Sequence, residues 1–198
     1  MIQPPITLAD VDALAARAHA GQKDKIGVDY MEHVRAVAAG LEPFGERAQM
    51  AGLLHDVLED TELTTVDLLA AGVPGTVVET VERVTRRPGL DYTEMIRVVA
   101  ADRWACLVKI ADNAHNSRAD RAAGLEPGLR ERLARRYAEA RAVLWAAVPE
   151  EDVRAIVSLV NPDLLEARPS APASQDAAAS DGPRDALDHP RALDYPGA

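Results

Sequence analysis

The chain has 198 residues, room for one domain with a sizeable core, and a formal net charge of -10. That charge excludes a nucleic-acid scaffold and argues against binding to an anionic membrane, because phosphate backbones are held through clustered Lys and Arg. It does not exclude a small anionic substrate, since a metal ion and a few local cations can reverse the potential inside a cleft.

Ala, Leu and Val dominate the apolar content and Phe occurs once, at Phe44, which suits packed helices better than strands and predicts an all-α fold. Thr7 followed by Asp10 reads as a helix start, and Leu8, Val11, Leu14, Ala15 and Ala18 keep helical spacing up to Gly21. The polar segment 22–29 reads as a loop. Helical patterns follow over Tyr30–Leu41 and Gly45–Glu59, parted around Pro43, then over Thr65–Ala71, Pro74–Arg86 and Tyr92–Ala101. One continuous helix is expected from Asp102 to about Arg121, then Pro127–Val148 and a last helix over Glu150–Leu159.

These elements make a single domain over 1–166. From Ala167 the composition turns to Ala, Pro, Ser and Asp, with five prolines and no apolar period, so 167–198 is expected to be a disordered tail. Cys106 is the only cysteine, the N-terminal MIQPPITLADVD lacks the basic start and apolar core of a signal peptide, and no apolar run nears the roughly 20 residues of a membrane span. A cytoplasmic protein without disulfides is the expectation.

The chemistry concentrates in two stretches. In LLHDVLEDT, adjacent His55 and Asp56 interrupt an otherwise apolar helix face, and Glu59 and Asp60 follow within one turn. In VKIADNAHNSR, Asp112, His115 and Asn116 share one helical face, with Lys109 and Arg118 flanking them. His33 adds the lone imidazole of an amphipathic helix. A lone His on an apolar face is more often a satisfied core histidine than a ligand. The combination of His33, His55, Asp56 and Asp112 on three helices instead makes a mixed nitrogen and oxygen set suited to Mn, Fe, Co, Zn or Ni.

The order H…HD…D resembles the HD superfamily of metal-dependent phosphohydrolases. LLHDVLEDT with KIADNAHNSR is similar to the small alarmone hydrolases and to the hydrolase domain of alarmone synthetase/hydrolase proteins, over about residues 9 to 148. The resemblance implies a helical HD domain with one divalent ion, Mn above Zn, Fe, Co or Ni, held by His33, His55, Asp56 and Asp112. It implies removal of the 3′-pyrophosphate of ppGpp or pppGpp, with Glu59 and Asp60 handling the attacking water and Asn116 in the catalytic set. Lys25, Lys109, His115 and Arg118 match its substrate-binding positions.

The pattern also departs. Asp24 stands where those hydrolases carry an Arg that stacks on guanine, and Asp has no flat cationic face and repels phosphate. Val34 and Ala119 replace a common Pro and Thr. Another nucleotide, such as NADPH, a 3′-phosphorylated nucleotide or a nucleoside monophosphate, is therefore the alternative substrate, and a nucleotide-binding regulator or antitoxin-like partner is the alternative class. A small nucleotide is the expected partner, with no nucleic acid and no membrane. His19, Cys106, Trp104 and Trp145 are read as packing residues, and His189 has no visible partner.

Overall fold

The computed structural model describes residues 5–87 and 89–166. The expected tail over 167–198, with His189, lies outside them. The described residues are helical, without a strand, in agreement with the expected all-α class. No helix among them is long and apolar enough to cross a membrane.

Helix α1 (Leu8–Ala18) starts where Thr7 and Asp10 form a capping box, each side chain accepting from the other's backbone N–H. Asp29 caps α2 (Tyr30–Gly40) by accepting from Met31 N at 2.9 Å. After a 3-10 turn at Glu42–Phe44 come α3 (Glu46–Leu54), α4 (Val57–Asp60), α5 (Thr65–Ala70), α6 (Gly75–Val84) and α7 (Tyr92–Ala100). The chain continues through α8 (Arg103–Asn116), α9 (Ala119–Ala123), α10 (Pro127–Ala146), α11 (Glu150–Val160) and α12 (Asp163–Glu166).

Helix α8 is the axis of the core. Ten of its 14 residues are buried, and it packs against α2, α3, α6, α7, α10 and α11. A helix buried on nearly all sides is central to the bundle whatever polar groups it carries. The polar groups of α8 must then be satisfied inside: Asn113 donates to Tyr137 O at 3.1 Å, and the Ala114 carbonyl accepts from Asn161 Nδ2 at 3.0 Å. Small residues let α2 and its neighbours approach closely. An ideal Cβ on Gly52 of α3 would lie 2.8 Å from Ala38 Cα, and one on Gly40 would collide with Val160.

Two expected helices are each divided. The segment Gly45–Glu59 is not continuous: His55 and Asp56 form a turn between α3 and α4, with Asp56 at φ -103°, ψ -3°. The reason is geometric. Successive side chains of an α-helix point about 100° apart, so adjacent His55 and Asp56 can face one point only where the helix gives way. The segment 102–121 also breaks, at Ser117–Arg118, which turns α9 back toward the loop after α1.

Candidate metal centre

Three elements deliver the site. His33 comes from the first turn of α2, His55 and Asp56 from the turn after α3, and Asp112 from the middle of α8. Coordinating atoms of His33, His55 and Asp112 all lie within 4.8 Å of one another. Asp56 Oδ2 adjoins them, 2.8 Å from His55 Nε2 and 3.6 Å from His33 Nε2, while Asp112 Oδ1 is 3.5 Å from His33 Nε2.

The outer ring nitrogens fix the tautomers. His55 Nδ1 is 2.8 Å from Gly52 O, which only accepts, so Nδ1 carries a proton and Nε2 carries the lone pair when the ring is neutral. His33 Nδ1 meets His115 Nδ1 at 2.8 Å. Burial, His33 and the nearby Arg121 and Arg118 push the His115 imidazole down to about 3, so it is neutral and accepts from His33 Nδ1–H. His33 Nε2 then also points its lone pair inward when the ring is neutral. His55 Nε2 is buried without a hydrogen-bond partner beside a carboxylate oxygen. Two acceptors side by side in a dry place repel unless a cation joins them, so the donor set fits a divalent ion.

Charge within the centre is tightly balanced. Burial alone would raise the Asp56 carboxyl, but the His55 and His33 imidazoles hold it well below the usual carboxylate range. Burial opposes ionisation of Asp112 too, and the Lys109 ammonium, 2.8 Å from its Oδ2, reverses this and lowers it. Lys109 is raised in turn, Asp112 and Asp56 outweighing its own burial. His33, which burial would lower, is pushed up to about 9 by Asp112 and Asp56.

The Tyr30 hydroxyl lies 2.7 Å from Asp56 Oδ2 and 2.9 Å from Asp60 Oδ2, donating its single proton between the two carboxylates. Burial and those two charges raise its pKa far above the phenol range, so it stays protonated. Asn116 Nδ2 donates to Asp112 Oδ1. Glu59 accepts from Arg86 N at 3.1 Å.

The centre opens into a cleft of about 390 Å³. Its lining includes His33, Asp56, Asp112, Glu59, Asp60, Asn116, Lys25 and Lys109, so most of the residues singled out in the sequence meet there. Two do not. His115 stands behind His33 as its hydrogen-bond partner, outside the lining. Arg118 spends its guanidinium on Asp120 and on Val160 O, 3.3 Å away.

Sequence reasoning missed Tyr30, Arg121, Arg86, Arg136, Tyr92 and Tyr137, which also line the cleft. Tyr30 had a readable signal, since it lies three residues before His33 on one helix. Arg136 stacks over the Tyr92 ring at 3.6 Å from its centroid, a pairing of α10 with α7 that no local pattern encodes. Six basic and five acidic side chains line the cleft, so a chain of net charge -10 builds a locally cationic surface around its acidic centre.

His19, read as a packing residue, is buried, contacts Gln22 Oε1 through Nδ1 at 2.6 Å and packs on the Tyr30 ring. Cys106 is fully buried. Trp104 is half exposed, with the Arg103 guanidinium over its ring.

A helical bundle that converges two imidazoles and two carboxylates from two helices and one turn beside a cleft defines a class of protein with a buried divalent-metal centre. Residues 12–157 match the HD domain family, and the chain belongs to that family. Membership implies a divalent metal, which the donor set described above fits.

The chain is 34% identical over 139 residues to the bifunctional (p)ppGpp synthase/hydrolase SpoT of Escherichia coli, covering 64% of this chain and 19% of that protein. It is 35% identical over 116 residues to the GTP pyrophosphokinase of Streptomyces coelicolor, covering 53% and 14%. The chain therefore spans less than a fifth of the length of these curated relatives. Among solved structures, a metazoan ortholog of SpoT described as hydrolyzing ppGpp superposes with a TM-score of 0.63 at 23% identity, over 83% of this chain and 98% of that one. That likeness supports the fold.

Proposed function

We propose that the chain is a metal-dependent phosphohydrolase that removes the 3′-pyrophosphate of ppGpp or pppGpp, giving GDP or GTP and pyrophosphate. The observation that carries this reading is the placement of Asp56, Asp112 and His33 on the floor of a nucleotide-sized cleft whose walls carry Lys25, Lys109, Arg121 and Arg136. SpoT, named for making and hydrolysing (p)ppGpp, supports the choice of substrate.

In this reading His33, His55, Asp56 and Asp112 hold the divalent ion, with Mn the first choice. Once bound, it would polarise a phosphoryl oxygen and acidify a water. Glu59 and Asp60, exposed at the mouth of the centre, orient the attacking water and take its proton. Water adds to the phosphorus attached to the 3′-oxygen, the bond between them breaks, and pyrophosphate departs while the 3′-oxygen regains a proton. Lys109 stands beside Asp112, where it can offset charge on the phosphates. Asn116, bonded to Asp112, positions that carboxylate and the phosphate near it.

Purified full-length chain with Mn is incubated with ppGpp, pppGpp, NADPH and nucleoside monophosphates, and phosphate and pyrophosphate are detected separately. Pyrophosphate release from ppGpp, lost in Asp56→Ala and Asp112→Ala, is expected. No pyrophosphate at saturating metal overturns the reading, and phosphate release from NADPH or a monophosphate would transfer the same centre to phosphomonoester chemistry. Nucleotide binding without turnover would point to a regulator.

A further inference from the structure

The loop after α1 and the short helix α9 are joined by one buried ion pair, and its two carboxylate oxygens do different work. Asp24 Oδ1 accepts from Ile26 N at 3.0 Å and Val28 N at 2.9 Å, closing the loop on itself. Asp24 Oδ2 lies 2.8 Å from Arg121 Nη1, with the Asp24 side chain only 4% exposed. The loop and α9 also meet at a second point, where a Cβ on Gly124 would lie 2.7 Å from Ile26 Cγ2. Arg121 is thereby held over the cleft, its Nη2 3.5 Å from Asn116 Oδ1.

We propose that Arg121, aimed by Asp24, is the guanidinium that grips the polyphosphate of the bound nucleotide, and that Asp24 is its positioning residue. A carboxylate that would repel phosphate as a free group becomes useful here, because its charge is spent on the cation it steers. Arg121 uses one end of its fork on Asp24 and leaves other N–H donors for phosphate oxygens. Its rotamer is set before the ligand arrives, which lowers the entropy lost on binding. Arg118, the neighbouring cation, is spent on Asp120 and Val160 O. Lys23 and Lys25 stand exposed on the same loop as point charges without a planar donor fork. The inference rests on the phosphohydrolase reading only for the identity of the nucleotide.

The test is calorimetric titration of the full chain with ppGpp, GDP and inorganic pyrophosphate in EDTA, where no turnover occurs. Wild-type, Arg121→Gln, Asp24→Asn and the double variant are compared. Asp24→Asn retains an oxygen for Ile26 N and Val28 N while deleting the ion pair, so a loop-building role alone would survive it. The expected result is a Kd for ppGpp raised about tenfold in Arg121→Gln, the loss of one charged hydrogen bond, and raised severalfold in Asp24→Asn. The double variant should match Arg121→Gln within about twofold, because Asp24 acts through Arg121.

Wild-type affinity in Arg121→Gln, effects of the two changes that multiply, or a wild-type protein that binds none of the three probes would each overturn the assignment. Should Arg121→Gln fail to fold, Asp24→Asn and Arg121→Lys carry the same comparison. If the wild type binds ppGpp but leaves it intact with Mn, the hydrolase reading fails while the Arg121 assignment stands. Hydrolysis with an unchanged KM in Arg121→Gln keeps the hydrolase reading and removes Arg121 from the phosphate grip.

Discussion

Gly52→Ala places a methyl group at the tightest seam near the metal centre. An ideal Cβ there would be 2.8 Å from Ala38 Cα, 3.1 Å from Ala38 N and 2.9 Å from Leu41 Cδ1. Leu41 can turn its methyl aside, but backbone atoms of α2 cannot. Carbon contacts settle at about 3.5–4.0 Å, so α2 and α3 must part by about 0.7 Å or more. Overpacking of this kind costs about 1–3 kcal/mol, against at most about 1 kcal/mol gained from the better helix propensity of Ala. The clash wins, and the net loss should be about 1–2 kcal/mol. His33 rides on α2, and His55 bonds Gly52 O through Nδ1, so separating the helices also spoils the donor cluster, and affinity for Mn or Zn should fall about tenfold.

Urea unfolding of the metal-free chain, with metal affinity from competition against a fluorescent chelator, measures both quantities. Gly75→Ala is the control: its Cβ meets nothing within 4 Å, so stability should hold or rise by about 0.5 kcal/mol. Gly52→Ala as stable as wild type, with unchanged metal affinity, would contradict a rigid seam between α2 and α3.

Tyr30→Phe removes the hydroxyl that bonds Asp56 and Asp60 while keeping the ring against His19 and His33. Metal affinity should drop about 10- to 100-fold with little change in melting temperature, and an unaltered metal Kd in the chelator assay would remove Tyr30 from the support of the site. Metal uptake should expel a proton, because His33 without metal is held up to about 9 and must lose its charge to coordinate. Below that pH a proton competes with the ion, so affinity rises as pH climbs from neutrality toward 9; calorimetry in buffers of different ionisation heat reads the released proton, and zero release contradicts the protonated ring. Glu59→Gln should lower kcat for pyrophosphate release by about 100-fold or more with a KM near wild type, in keeping with a water-handling role. A KM effect alone would place Glu59 in binding.

The helices were legible because their signals are local: Thr7 with Asp10, Pro127 at the start of α10, and apolar spacing along α6 and α11. His33, His55, Asp56 and Asp112 were legible as a set because their residue types and order narrow the chemistry, and the structure places them together. The break at His55–Asp56 was not. Both residues tolerate a helix, and only the demand that neighbouring side chains meet at one point opens the turn. Arg121 was likewise invisible, since its role depends on Asp24 lying almost a hundred residues earlier and on α9 folding back. His115 entered the substrate-binding set through its match to the family motif, and no sequence pattern shows what the structure adds, that it lies outside the cleft lining with Nδ1 2.8 Å from His33 Nδ1.

Three of the four tyrosines, Tyr30, Tyr92 and Tyr137, line the cleft, and neither Trp104 nor Trp145 does. Tryptophan emission, the usual optical probe of folding, thus arises outside the cleft, whereas three tyrosine rings stand on its walls. Each ring sits in a different field: Tyr30 between two carboxylates, Tyr92 beneath a guanidinium, and Tyr137 with its hydroxyl pushed up to about 12 by burial and nearby Asp112. Fluorotyrosine incorporated throughout the chain would place separate resonances at the metal floor, on α7 and on α10. The protein carries its own spectrometer, with three of its four tyrosines gathered at one site.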